Sequence, residues 1–137
     1  FIFINEIFKV CKFFQNLNYK IVVITNQAGI AKKIYSLKDF KILNNWMIEQ
    51  FNLKGIFIDK VYFCPHHPNF SEKCKCRKPD IGMIVEAKID LNLDLNKSIL
   101  VGDNISDMEA GIKAGVKNNL LIKHRRCLEN NYKLKGI

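Results

Sequence analysis

Two short runs, Lys20 to Thr25 (KIVVIT) and Ser98 to Gly102 (SILVG), constrain the fold more than any other part of the chain. Both are apolar on both faces and rich in β-branched residues, which suits strands buried in a parallel sheet. Helical patterns surround them. Ile7, Val10, Cys11, Phe14 and Leu17 repeat at helical spacing, so residues 5–18 read as an amphipathic helix. Ser36 and Asp39 form a capping-box pair ahead of Phe40, Leu43 and Met47, and that helix runs to about Phe51. Lys60 to Phe63 reads as another strand. Pro79 is expected in the first turn of a helix with Ile81, Ile84, Val85 and Ile89 on one face. A further helix starts near Ser106 and stops at Gly115, and Asn119 to Lys123 forms a last strand before a polar, frayed tail. Alternating strands and helices with short loops predict a parallel sheet covered on both faces, in a single domain over residues 1–137.

Charge tests whether such a domain serves nucleic acid. The formal net charge is +9, from 19 Lys and 3 Arg against 13 acidic residues. These lysines are scattered, with no stripe of Arg and interleaved aromatics and no helix-turn-helix, so nucleic acid is disfavoured as a partner. With 15 Asn and 19 Ile beside them, they read first as compositional bias, and second as a basic mouth for an anionic substrate. No apolar run approaches the roughly 18 residues of a membrane span. The start, Phe-Ile-Phe-Ile, has neither Met nor a basic region, so it is not a signal peptide and the expected true start lies upstream.

Three of the five cysteines cluster, in Cys64-Pro65-His66-His67 and Cys74-Lys75-Cys76. An odd cysteine count and close pairing point to metal binding in a reducing compartment rather than to a disulfide framework. Zinc takes four soft or borderline ligands in a tetrahedron, and Cys64, His66, Cys74 and Cys76 supply them from one loop, 64–76. His67 is the alternative to His66, or a residue that only orients it. With four protein ligands the metal is structural. Cys11 and Cys127 read as ordinary thiols.

In parallel sheets, chemistry gathers beyond the carboxyl ends of the strands. Thr25-Asn26-Gln27-Ala28-Gly29 follows the first such strand and can cradle a phosphate with amides and a hydroxyl, although a plain turn reads as well. Gly102-Asp103 ends another; a carboxylate there can hold Mg²⁺, or simply cap a helix. Arg77 and Lys78 precede a helix start, which favours an anion. A hydroxyl, a lysine and an acid from three strand ends would together serve one phosphoryl group.

In this order, ITNQAGIA (24–31), CPHHP (64–68), CKCRKPDIGM (74–83) and VGDNISDMEAG (101–111) resemble the branch of the haloacid-dehalogenase (HAD) superfamily that holds D,D-heptose 1,7-bisphosphate phosphatases and, beside them, histidinol-phosphatases. The resemblance implies a HAD-like, Rossmann-type three-layer α/β sandwich and a cytoplasmic, monomeric Mg²⁺-dependent phosphatase acting on a small sugar phosphate. Its substrate would be D-glycero-D-manno-heptose 1,7-bisphosphate, used in making lipopolysaccharide core precursor. Carried over residue by residue, Thr25 and Asn26 bind the phosphoryl group, Arg77 contacts substrate phosphate and Lys78 neutralises its charge. Asp103 holds Mg²⁺, with Asp107 a second-tier ligand, and Cys64, His66, Cys74 and Cys76 hold zinc.

The departure concerns the nucleophile. The family's attacking aspartate, and the acid/base aspartate two residues on, belong to an Asp-x-Asp turn after a first strand that lies between those ending at Thr25 and Gly102. No Asp-x-Asp occurs among the 137 residues, and Asp90 and Asp94 stand four apart. A chain missing that strand and inactive by itself is expected. Histidinol-phosphatase is the alternative activity; a zinc-organised module binding nucleic-acid ends is the alternative without catalysis.

Overall fold

Helix α1 (Asn5–Asn16) opens the computed structural model, which describes residues 5–71, 73–122 and 135–136. By internal contact the chain divides into two compact units, residues 1–72 and 73–137.

The first unit contains α1, strand β1 (Val22–Asn26), the four-residue helix α2 (Ala28–Ala31), α3 (Leu37–Leu53) and β2 (Lys60–Cys64). β1 and β2 pair in parallel, with Thr25 opposite Phe63 and Asn26 opposite Cys64. Their core is Phe51, Ile56 and Ile58, packed against Ile7, Phe8, Cys11, Met47, Ile48 and strand residues Val23 and Val61. Polar ties fix the turn leading into β2. The Gln15 side chain donates to Gly55 O (2.8 Å) and accepts from Phe57 N (2.7 Å). Asp59 accepts from Ile21 N at 2.7 Å, which aligns the starts of the two strands. The Ser36–Asp39 capping box forms as the sequence predicts, with both reciprocal bonds present. Cys11 is an ordinary packed thiol, and burial raises its pKa above the usual 9.0.

The second unit contains α4 (Gly82–Leu91), β3 (Ile99–Gly102), α5 (Ile105–Ala114), β4 (Asn118–Leu121) and the short β5 (Lys135–Gly136). β3 and β4 are parallel, while β5 runs antiparallel to β4, a pairing that the polar tail did not announce. Met83, Ile84, Ala87, Met108, Ala110, Val116 and Leu121 are buried here. Both helices stop at left-handed residues, Asn92 (φ 51°) and Gly115 (φ 93°).

Two sequence expectations need adjustment. Pro79 does not sit in the first turn of α4. It lies in a turn closed by Asp80 N to Arg77 O (2.8 Å), and the helix begins three residues later. The expected end of the last parallel strand at Lys123, most of the tail and Cys127 lie outside the described residues. Among the described residues no helix is long and apolar enough to cross a membrane.

Candidate active site and metal loop

In the first unit, β1 delivers Thr25 and Asn26 to its carboxyl end, both half-buried. The chain then bends sharply, because Gln27 N donates to Cys64 O at the end of β2 (2.7 Å). That bend folds the Gln27 side chain back on the strand end, where its Nε2 donates to Thr25 Oγ1 at 2.9 Å. On the other side Tyr35 Oη donates to Gln27 Oε1 at 2.5 Å. The threonine hydroxyl singled out by the sequence is therefore one end of a three-residue polar chain.

The second unit assembles Lys78, Asp103 and Asp107. Lys78 makes an ion pair with Oδ1 of Asp107, and both side chains are largely buried, at 12% and 9% exposure. The other Asp107 oxygen accepts from Asp103 N (3.2 Å) and Asn104 N (3.1 Å). Asn104 is the N-cap of α5 and Asp107 its reciprocal partner in a capping box. One carboxylate thus starts the helix, shapes the turn after β3 and holds the lysine. Gly102 makes this possible, because a Cβ there would sit 2.5 Å from Oδ2 of Asp107. Asp103 itself is exposed, and only its Oδ1 meets the Asn104 side chain, at 3.4 Å. Its carboxylate remains accessible to a hard cation, whereas Asp107 would have to surrender a bond to serve as a ligand. Arg77 is half-buried in the turn before α4.

The loop after β2 gathers the ligand atoms of Cys64, His66, Cys74 and Cys76 within 4.8 Å of one another. Cys64 is fully buried, with its Sγ 3.6 Å from His66 Nδ1. His67 is not in the group; its Nδ1 accepts from Asn69 N at 3.1 Å and its ring packs on Phe70. A second tie fixes the far side of the loop, where Gly82 N at the start of α4 donates to Lys75 O (2.8 Å). With metal–sulfur bonds of about 2.3 Å, tetrahedral ligands stand roughly 3.8 Å apart, and this donor set reaches that spacing with small movements.

A family model described as polynucleotide kinase 3 phosphatase matches residues 1–125. D-glycero-alpha-D-manno-heptose-1,7-bisphosphate 7-phosphatase of Campylobacter jejuni is 41% identical over 126 residues, covering 92% of this chain and 71% of that protein. The chain belongs to this family of HAD-type phosphatases. Other members bear it out: D-glycero-alpha-D-manno-heptose-1,7-bisphosphate 7-phosphatase of Burkholderia mallei is 45% identical over 130 residues (91% of this chain, 69% of that protein). D-glycero-beta-D-manno-heptose-1,7-bisphosphate 7-phosphatase of Helicobacter pylori is 43% identical over 123 residues (89% and 70%). Among solved structures, a HAD-like phosphatase from Mesorhizobium loti has a TM-score of 0.79 at 34% identity, covering 83% of this chain and 57% of that one. D,D-heptose 1,7-bisphosphate phosphatase of B. bronchiseptica, complexed with magnesium and phosphate, superposes with a TM-score of 0.81 at 24% identity (98% and 74%) and shares the fold.

Tyr35 and Asn104 carry no role in the sequence reading, and Gln27 and Gly102 stand there only as members of the Thr25–Gly29 and Gly102-Asp103 runs. For Gln27 the signal was its place in the TNQ word and for Gly102 its place before Asp103. For Tyr35 there was none, because only the folded loop brings it back to Gln27.

Proposed function

We propose that this chain forms the phosphate-binding part of a Mg²⁺-dependent phosphatase for the 7-phosphate of D-glycero-D-manno-heptose 1,7-bisphosphate, in lipopolysaccharide core precursor synthesis. What carries the reading is the 41–45% identity, over about nine-tenths of the chain, to phosphatases named for that substrate. In this reading the Thr25 hydroxyl and Asn26 donate to phosphoryl oxygens, Arg77 contacts substrate phosphate, and Lys78, aimed by Asp107, neutralises charge on the phosphoryl group. Phosphoryl transfer asks for little beyond such positioning and electrostatic stabilisation. Asp103 would hold Mg²⁺, which when bound supplies further positive charge against the phosphate. Cys64, His66, Cys74 and Cys76 would hold zinc, which cross-links the loop and takes no part in the chemistry. Three clustered thiolates suit a reducing, cytoplasmic setting.

The attacking and protonating carboxylates are not among these 137 residues, which contain no Asp-x-Asp. The expectation is therefore binding without turnover. Calorimetry in Mg²⁺ with heptose bisphosphate and with histidinol phosphate tests the substrate, and tighter binding of histidinol phosphate reverses that choice. Lys78→Met should weaken inorganic phosphate binding at least about tenfold, as loss of a charge-assisted contact does. Unchanged affinity removes Lys78 from the site.

A further inference from the structure

We propose that Gln27 and Tyr35 are positioning residues for Thr25, fixing its hydroxyl as a hydrogen-bond donor to a phosphate monoester oxygen; this deepens the phosphate-binding reading and rests on it. A threonine hydroxyl both donates and accepts, so what it offers a ligand depends on its fixed neighbours. Here Thr25 Oγ1 lies 2.9 Å from the amide of Gln27, whose other end lies 2.5 Å from the Tyr35 hydroxyl.

The amide could in principle be turned either way. With its nitrogen toward Thr25, the threonine accepts and its proton is left for an outside group. With its oxygen toward Thr25, the threonine spends its proton on Gln27. The structure turns the amide oxygen toward the phenol and the amide nitrogen toward Thr25. Phenol chemistry agrees, since a tyrosine hydroxyl is the better donor. Once Thr25 accepts from Gln27, its own proton has within reach, among the described residues, only Asn26 O at a weak 3.4 Å. A phosphoryl oxygen is the better acceptor and, being an anion, needs donors.

The chain is built to hold this arrangement. Ile34 N donates to Gly29 O (2.9 Å), closing a loop that returns Tyr35 to the strand end. The Tyr35 ring lies close against Gly29, where a Cβ would stand 2.2 Å from Cε1. On its other side, Ser36 starts α3 through its capping box, so the backbone beside Tyr35 is fixed as well. Gln27 is anchored by its backbone bond to Cys64 O.

A free hydroxyl rotor has three staggered wells, so releasing it costs about a threefold loss in the donating population, and more where an inward bond is then favoured. Phosphate affinity of the purified, zinc-loaded chain in Mg²⁺, read by titration calorimetry with inorganic phosphate, measures this. Tyr35→Phe keeps the ring on Gly29 and removes only the phenol donor; we expect a three- to tenfold loss. In a Thr25→Val background the same substitution should change affinity by less than about 1.5-fold, and in Thr25→Ser, which restores the hydroxyl, the loss should return. Gln27→Met, similar in length but without the amide, should follow the same pattern and serves if Tyr35→Phe folds poorly. An equal loss in the valine and threonine backgrounds, or no loss in either, overturns the relay while leaving the phosphate site standing. If Thr25→Val itself binds phosphate like the wild type, the role of Thr25 in the site fails, and the relay with it.

Discussion

Replacing Asp107 should expose how much of the second unit hangs on one carboxylate. It is 6% exposed, pairs with Lys78, and accepts from the backbone amides of Asp103 and Asn104. Breaking a buried pair by removing one partner costs about 3–5 kcal/mol where the other charge has no further compensation. Lys78 keeps some access to water at 12% exposure and has contacts besides Asp107, so the lower end applies. Loss of the helix cap adds about 1 kcal/mol. Asp107→Ala should therefore destabilise by about 4 kcal/mol, a large part of the 5–15 kcal/mol that holds a typical domain. With a urea slope of about 2 kcal/mol per molar, the unfolding midpoint falls by about 2 M. The charge-free pair Lys78→Met with Asp107→Asn gives the sharper measurement. Each single change strands a charge or a donor, while the double removes both charges together, so its cost should be at least about 1.5 kcal/mol smaller than the summed costs of the singles. Costs that add to within about 0.5 kcal/mol would mean that the two side chains act independently, and the reasoning about their pairing would be wrong.

Three further outcomes follow from the geometry. Reduced, purified protein should carry about one zinc per chain, and Cys74→Ser should lower that content and the unfolding midpoint; metal analysis showing none at full folding would remove the metal from the loop. Gln15→Ala loses two bonds to the turn at Gly55 and Phe57 and should cost about 1–3 kcal/mol by urea unfolding. Burial raises the Cys11 pKa, so the folded state holds its thiol proton where the unfolded state loses it. The stabilising contribution is then present below about pH 9 and lost as pH rises through the folded pKa. Cys11→Ala should accordingly flatten the decline of stability above pH 9, and an unchanged slope would contradict it.

Much of this was legible in the residues themselves. KIVVIT and SILVG read as strands because β-branched side chains on both faces have no comfortable alternative, and Ser36-Asp39 read as a helix start because a capping box is a local device. The Cys and His loop was equally plain, since ligand spacing is a property of the chain alone. Spacing leaves His66 and His67 both open, and in the structure His66 is the one whose ring nitrogen lies with the three sulfurs. What could not be read was the work done at a distance. The resemblance makes Asp107 a second-tier metal ligand, and nothing in the sequence reveals that Lys78, 29 positions earlier, pairs with it. Tyr35 likewise carries no local signal of its contact with Gln27. The antiparallel β5 has almost no apolar pattern; pairing with β4 is what makes Lys135–Gly136 extended.

The bond from Gln27 N to Cys64 O is short, and it joins two parts with different tasks. The residue that steadies the threonine takes its backbone anchor from a cysteine of the metal loop, so whatever disturbs that cysteine is transmitted directly to the strand end. If the loop holds a metal as proposed, a preparation lacking it would then present itself at the bench as poor affinity for phosphate, and metal content should be assayed before weak binding is blamed on the phosphate-binding residues.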